Sequence, residues 1–380
     1  MKPIVIIGTG LAGYGLAREF RKLDKESPLI IITSDDGRAY SKPMLSTALT
    51  KNKTAAELAS ADADTMAQQL NAEIRIHTQV SAINSEAHTL QINEETLSYS
   101  KLVLAIGADP FRPPIAGDSK QVLSVNDLTD YHCFRQKLEN KNHVAILGGG
   151  LIGCEFANDL ANSGYQVDLI DRNVLPLGNL LPELVAEKLL AALQLLSIHW
   201  HGNNTAKHVT HVDDCFELTL ENGKKIYADV VLSAIGLRAR TALASDAGLR
   251  VNRGIVVDRF LQTSAPDIYA LGDCAEVEGH FLPFVMPLMR GTRALAQTLA
   301  GNTTAVSYPA MPVVLKTPAY PISVLPPPLG LEGKWQIESG ENELRAKFVD
   351  YNNTLRGFVL SNNATRDASK YASEIPDLLR

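Results

Sequence analysis

The sequence predicts an α/β chain in which one strand–loop–helix unit occurs twice and a smaller α+β segment closes the end. Three observations predict it. The stretch "IVIIGTGLAGYGLAREF" (Ile4 to Phe20) runs from a short apolar strand through spaced glycines into a helical pattern. The stretch "VAILGGGLIGCEFANDL" (Val144 to Leu160) repeats that design. Beyond Met311 the texture changes to prolines (Pro312, Pro318, Pro321, Pro326 to Pro328) and alternating runs such as "AKFVD".

In chain order, Ile4 to Ile7 reads as a strand, Leu11 to Leu23 as a helix, and Leu29 to Thr33 and Leu102 to Ile106 as further strands. Such alternation builds a parallel sheet. After the proline-rich crossing "DPFRPPIAGD" (Asp109 to Asp118) it restarts at Val144 and runs to "ADVVLSAIG" (Ala228 to Gly236). Next, "TSAPDIYALGDCAE" (Thr263 to Glu276) is a strand ending in Gly-Asp. A helix from about Leu288 to Ala300 follows, stopped by Gly301-Asn302. We therefore expect two Rossmann-like domains, 1–109 with 237–310 and 110–236, and a small, separate mixed C-terminal domain, 311–380.

The 380 residues are 45% apolar and 21% charged, an ordinary globular composition. A net charge of −6 and the lack of any basic run argue against a nucleic-acid partner. The chain opens directly into its first strand without a charged leader, and its apolar runs fall short of the roughly 20 residues that cross a bilayer. A cytoplasmic protein with no membrane partner is the expectation. Cys133, Cys154, Cys215 and Cys274 are widely spaced, with neither a CxxC pair nor a metal-like cluster, so disulfides and a metal centre are not expected.

Each glycine loop has a physical rationale. The first glycine permits a tight strand-to-helix turn, the second lets backbone approach a pyrophosphate, and the third lets the helix pack on the strand. Gly8, Gly10 and Gly13 fill these places in the first copy; Gly148, Gly150 and Gly153 fill them in the second. One match alone could be a merely tight turn, but each copy follows a strand, opens a helix and precedes an acid at the end of the next strand. Those acids are Asp35 and Asp171, placed to accept from ribose hydroxyls. An acid repels a 2'-phosphate, so Asp171 favours NADH over NADPH, while the adjacent Arg172 is a residue that could accommodate the phosphate.

Together "GTGLAG", "AIGADP", "GGGLIG", "LSAIGLR" and "TSAPDIYALGDCAE" resemble, in the right order, the two-dinucleotide flavoprotein reductases of the pyridine nucleotide-disulphide oxidoreductase superfamily. The resemblance implies that the N-terminal loop holds FAD, through Gly8, Gly10, Leu11, Ala12 and Gly13, with Asp35, Gly107 and an Asp273 that bonds the ribityl chain. It implies that the central loop holds NADH, through Gly148, Gly150, Leu151, Ile152 and Gly153, with Asp171 and Gly236. The helix after the Gly-Asp motif would aim its positive end at the flavin, and Pro287 suits a first helical turn.

Members of the superfamily divide by how electrons leave the flavin: disulfide reductases and single-cysteine members place cysteines where this chain has "DDGRAYSKPMLST" (Asp35 to Thr47), without one, and thioredoxin reductases place a CxxC, absent here, in the NAD domain. Cys154 and Cys274 read as small packing residues. The segment "YSKPMLS" resembles that of ferredoxin-type reductases, with Lys42 in place of arginine and Thr47 in place of a final lysine; Lys316 in "VLKTPAYP" could supply that charge. The fuller resemblance is to rubredoxin-NAD reductases of alkane-oxidising bacteria and related flavorubredoxin reductases, carried by "SKPMLSTALTKNK", "LIGCEFANDL", "VMPLM", "ALAQTLAGN" and "KTPAYP". It implies hydride transfer from NADH to FAD, then single electrons to rubredoxin, or alternatively to flavorubredoxin, ferredoxin or oxygen. No side chain is expected to act as acid or base. Lys42, Glu155 and Lys316 are the flavin-proximal candidates, Glu155 being equally a carboxylate suited to a helix N-terminus. The short C-terminal domain implies a monomer, and Arg290, Arg293, Lys316 and Lys347 are expected to form a basic docking patch for an acidic partner.

Overall fold

The computed structural model describes residues 1–112, 114–178 and 180–380. Along the chain come β1 (Ile4–Ile7), α1 (Leu11–Leu23), β2 (Leu29–Ile32), β3 (Glu73–Arg75) and β4 (Lys101–Leu104). The alternation then repeats in β5 (His143–Leu147), α2 (Leu151–Asn162), β6 (Gln166–Ile170), β7 (Ile198–His201) and β8 (Val230–Ser233). Next are β9 (Ile268–Ala270), α3 (Val285–Leu299), and five strands, β10 (Val313–Leu315), β11 (Ile322–Leu325), β12 (Gly333–Ser339), β13 (Glu343–Asp350) and β14 (Leu355–Asn362).

The first sheet is parallel, in the order β9-β4-β1-β2-β3. All four residues of β1 are buried, as a strand covered on both faces requires. Helix α1 buries Ala12, Leu16, Ala17 and Phe20 on one stripe, and Arg21 and Lys22 in its last turn complement its dipole. The second sheet, β7-β6-β5-β8, has the same central-strand arrangement with α2 after β5. Because β9 closes the first sheet from beyond the second, the chain leaves its first unit and returns to it.

The five C-terminal strands form an antiparallel sheet, β10-β11-β14-β13-β12. This segment is less separate than its sequence texture suggests. Leu315, Ile322, Leu344, Ala346 and Val359 share one core with Phe156 and Leu160 of α2 and with Leu45. Phe358 and Leu360 pack on the opposite face under Tyr371. Strand alternation gives the sheet two apolar faces, and only one can be covered locally.

Several boundaries differ from expectation by one to three residues. The fourth strand lies at Lys101–Leu104 rather than Leu102 to Ile106, and α3 begins at Val285, three residues earlier than read. Pro287 stands third in that helix, where its missing N–H leaves no intrahelical bond unmade. Among the described residues, no helix is long and apolar enough to cross a membrane.

Candidate functional site: two glycine cradles and the groups between them

Gly8 ends β1 at φ +113, and a Cβ there would lie 2.3 Å from the Ala105 carbonyl oxygen. A Cβ at Gly13 would lie 1.9 Å from the Gly8 oxygen, so α1 rests directly on the end of the strand. Gly10 is different. It caps α1 in extended backbone without a side-chain bond to the helix, and a Cβ there would meet nothing within 4 Å. Open space thus faces free helix N–H groups, the setting that binds a pyrophosphate. Leu11 is half-buried, Ala12 buried, and Gly107 (φ +71) also borders open space.

Asp35 stands beyond β2, and its Oδ1 accepts from Thr33 Oγ1 (2.7 Å), Gly37 N (2.9 Å) and Thr9 Oγ1 (3.2 Å). Its Oδ2 has no protein partner among the described residues and is the atom free for a ribose hydroxyl. Thr9 and Thr33, both buried, hold this acid in place, a role the sequence reading missed. An alcohol in the x position of G-x-G was the available signal.

The Gly-Asp turn packs on the same loop, since a Cβ at Gly272 (φ +80) would lie 2.9 Å from the Ala12 Cβ. Its Asp273 carboxylate faces Lys42 Nζ at 3.9 Å. Burial lowers the Lys42 pKa, and the neighbouring Asp273 charge works against that. Lys42 opens a short 3-10 helix, Lys42–Thr47, which carries no cysteine. Thr47 Oγ1 bonds within its own turn, donating to the Met44 oxygen at 3.4 Å.

In the second copy, a Cβ at Gly148 (φ +105) would lie 2.7 Å from the Ala234 oxygen and one at Gly153 would lie 1.8 Å from the Gly148 oxygen. Gly150 caps α2 in extended backbone, uncapped by any side chain, with nothing within 4 Å of a Cβ. Gly236 (φ +113) borders open space, Leu151 is half-buried and Ile152 is exposed. Asp171 Oδ2 accepts from Gly149 N at 2.5 Å, and its Oδ1 accepts from the backbone N and Nδ2 of Asn173 at 2.7 and 2.8 Å. The sequence signal for Asn173 was its place two residues after an acid, an Asx-type turn.

Glu155, buried on α2, joins the three parts of the chain. Its Oε2 accepts from Ser46 Oγ (2.5 Å) and pairs with Lys316 Nζ (3.0 Å), while its Oε1 accepts from the Lys316 backbone N (3.0 Å). Lys316 Nζ also donates to the Pro43 carbonyl. The lysine just past β10 therefore brings its charge onto the Lys42–Thr47 segment, and Glu155 pairs with Lys316 rather than Lys42. Leaving a carboxylate this buried without such a partner would be costly.

The two buried cysteines are held toward the thiol form. Cys154 is fully enclosed and burial pushes its thiol far up; Cys274, donating to the Leu104 oxygen, is pushed up to about 11, again by burial. Among the described residues no three His, Cys, Asp or Glu side chains are placed to hold a metal ion.

Of the four cations expected to form one patch, Arg290 and Arg293 are exposed on α3. Lys316 is committed to Glu155. Lys347 pairs with Glu338 at 3.8 Å and lies over the Tyr371 ring, on the sheet face opposite the shared core, so it does not belong to the patch.

Residues 2–298 match the family described as pyridine nucleotide-disulphide oxidoreductase, and residues 305–375 match a rubredoxin binding C-terminal domain. The chain is 50% identical, over the whole of both chains, to a rubredoxin-NAD(+) reductase of Alcanivorax borkumensis. It is 48% identical to one of Acinetobacter baylyi, over 100% of this chain and 99% of that one. A ferredoxin reductase from Rhodopseudomonas palustris superposes with a TM-score of 0.89, covering 99% of this chain and 96% of that one at 22% identity, which shows a shared fold.

Proposed function

The chain belongs to the pyridine nucleotide-disulphide oxidoreductase family, and from that premise we propose that it is an FAD-dependent NADH:rubredoxin oxidoreductase. The observation that carries the reading is the C-terminal match to a rubredoxin-binding domain, whose first strand delivers Lys316 onto the Lys42–Thr47 segment. Full-length likeness to named rubredoxin-NAD(+) reductases supports it.

Bound FAD supplies hydride acceptance from NADH and single-electron release, and that chemistry is the cofactor's own. The protein binds and orients. The N-terminus of α1, with Gly8, Gly10, Leu11, Ala12 and Gly13, cradles the FAD pyrophosphate; Asp35 takes the ribose, Asp273 the ribityl chain, and Gly107 lets backbone come close. The N-terminus of α2, with Gly148, Gly150, Leu151, Ile152 and Gly153, does the same for NADH, with Asp171 on its ribose and Gly236 lining the approach. Lys42, Glu155 and Lys316 set the charge where the units meet. Positioning, rather than proton transfer by a side chain, is what they contribute.

Residues 1–109 with 237–310, 110–236 and 311–380 are the corresponding domains in this reading. We place the enzyme in the cytoplasm, where its four free cysteines remain reduced, as a monomer serving rubredoxin-dependent alkane hydroxylation.

The test is spectroscopic. The purified yellow protein should bleach on NADH addition without oxygen, recolour on addition of oxidised rubredoxin, and consume little oxygen unless an acceptor is present. Bleaching followed by oxygen consumption that rubredoxin does not alter would make it an oxidase instead. No bleaching at all would overturn the enzyme reading.

A further inference from the structure

The dinucleotide fingerprint explains Gly148 and Gly150 but not the glycine between them. The structure supplies a reason: a Cβ on Gly149 would lie 2.5 and 2.6 Å from Cη2 and Cζ3 of Trp200 and 3.1 Å from the Asp171 Cβ. An indole from β7 therefore packs against the loop beside the acid at the end of β6.

That indole is one part of a clamp. The loop after β6 is tied to the end of β7 by Asp171 N to His201 O (3.1 Å), Asn204 N to Asp171 O (3.0 Å) and Asn203 N to Asn173 O (2.9 Å). Trp200 Nε1 donates to Val174 O at 2.8 Å, and Leu177 N donates to Gly149 O at 3.1 Å. Gly202 leaves room for it, because a Cβ there would lie 2.4 Å from both Trp200 Nε1 and the Val174 oxygen. Within this clamped stretch lie Asp171, bonded to Gly149 N, and the exposed Arg172.

We infer that Trp200 is a positioning residue that sets which nicotinamide dinucleotide the enzyme takes. By covering Gly149 and holding Val174, it fixes the 171–178 loop so that the Asp171 carboxylate meets a free 2'-hydroxyl and turns away a 2'-phosphate. With the tie released, Asp171 shifts off Gly149 N and the neighbouring Arg172 gains the freedom to pair with a phosphate. The inference rests on reading the second cradle as the NADH site.

Trp200→Phe keeps an aromatic ring but removes the Nε1 donor and shortens the cover. Flavin reduction is followed in stopped flow with NADH and with NADPH, for wild type, Trp200→Phe, Gly202→Ala and Asp171→Ala. Loss of a single positioning hydrogen bond should raise KM for NADH about 3- to 10-fold, lower the NADH-to-NADPH preference by a similar factor, and leave kcat and FAD content nearly unchanged. Gly202→Ala, pushing on the same contact from the other side, should move the ratio in the same direction. If Asp171→Ala loses discrimination while Trp200→Phe keeps the wild-type ratio, the role given to Trp200 is overturned and the NADH site stands. An unchanged ratio in Asp171→Ala would overturn the site and the inference together. A Trp200→Phe variant that loses FAD, or weakens equally toward both nucleotides, would reduce Trp200 to a structural part and also overturn the inference.

Discussion

Asp168 shows how a carboxylate in the interior of a sheet is kept charged. It lies on β6, 5% exposed, and is 2.5 Å from the Nε2 atoms of both His143 and His201, with His199 at 3.8 Å. Burial pushes its carboxyl up, but the bonds from His143 and His201 outweigh that and hold it well below the usual carboxylate range. A folded-state value below the unfolded one adds stability above the unfolded pKa, about 3.9 for aspartate, and that stability disappears as pH falls through the folded value. We expect urea midpoints of the wild type to fall from about pH 5 downward and Asp168→Asn to flatten that slope. The variant should lose about 2 kcal/mol near neutrality, because two bonds to a charged group weaken at once. A variant with the wild-type pH slope would show that this carboxylate is not the linked group. The sequence shows an aspartate in an apolar run, "VDLI", but not its imidazole partners, which come from the two flanking strands.

At the scale of elements, the glycine-to-helix turn is where local sequence is most informative. Helix α1 spans Leu11–Leu23 as its apolar stripe predicts, and its start needs no information beyond Gly8, Gly10 and Gly13. The three glycines serve different purposes, so their substitutions should fail differently. A Cβ at Gly10 meets nothing within 4 Å, so Gly10→Val should fold with its secondary structure intact while purifying colourless, because the side chain would fill the pyrophosphate cradle. Gly13→Ala drives a Cβ onto the Gly8 carbonyl and should compromise folding itself. Far-ultraviolet circular dichroism beside flavin absorbance separates the two. Full flavin content in folded Gly10→Val would remove that loop from FAD binding. The Lys42–Thr47 segment, by contrast, has no helical period, and its 3-10 turn packs on α2, with Leu45 buried in the core that α2 shares with the C-terminal sheet.

For the whole molecule, partner encounter is set by charge arrangement rather than by the net −6. Two exposed cations, Arg290 and Arg293, remain on α3 as candidates for steering an acidic rubredoxin; Lys316 is paired and Lys347 lies on the far face of its sheet. Rubredoxin reduction under encounter-limited conditions should slow between roughly 50 and 200 mM salt, as screening shortens the reach of surface charge to about 10 Å near 0.1 M. Flavin reduction by NADH should change much less. Reversing both arginines to glutamate should slow the acceptor step and cancel its salt dependence, whereas Lys347→Glu should leave it alone. A salt-independent wild-type rate, or an equal effect from Lys347→Glu, would show that this surface does not guide docking.

The sequence by itself determined the parts whose requirements are local: two strand–glycine–helix turns, their acids Asp35 and Asp171, the family, and the lack of a thiol pair. A tight turn or a helix start is specified by neighbours a few residues apart, so spacing alone reveals it. Only the tertiary structure decided that Lys42 faces Asp273, that Glu155 is shared by Ser46 and Lys316, and that Trp200 covers Gly149. It also decided that half of the expected basic patch is spent elsewhere. These contacts join residues from different elements, and they follow from where sheets and helices pack, which no periodicity in the chain records.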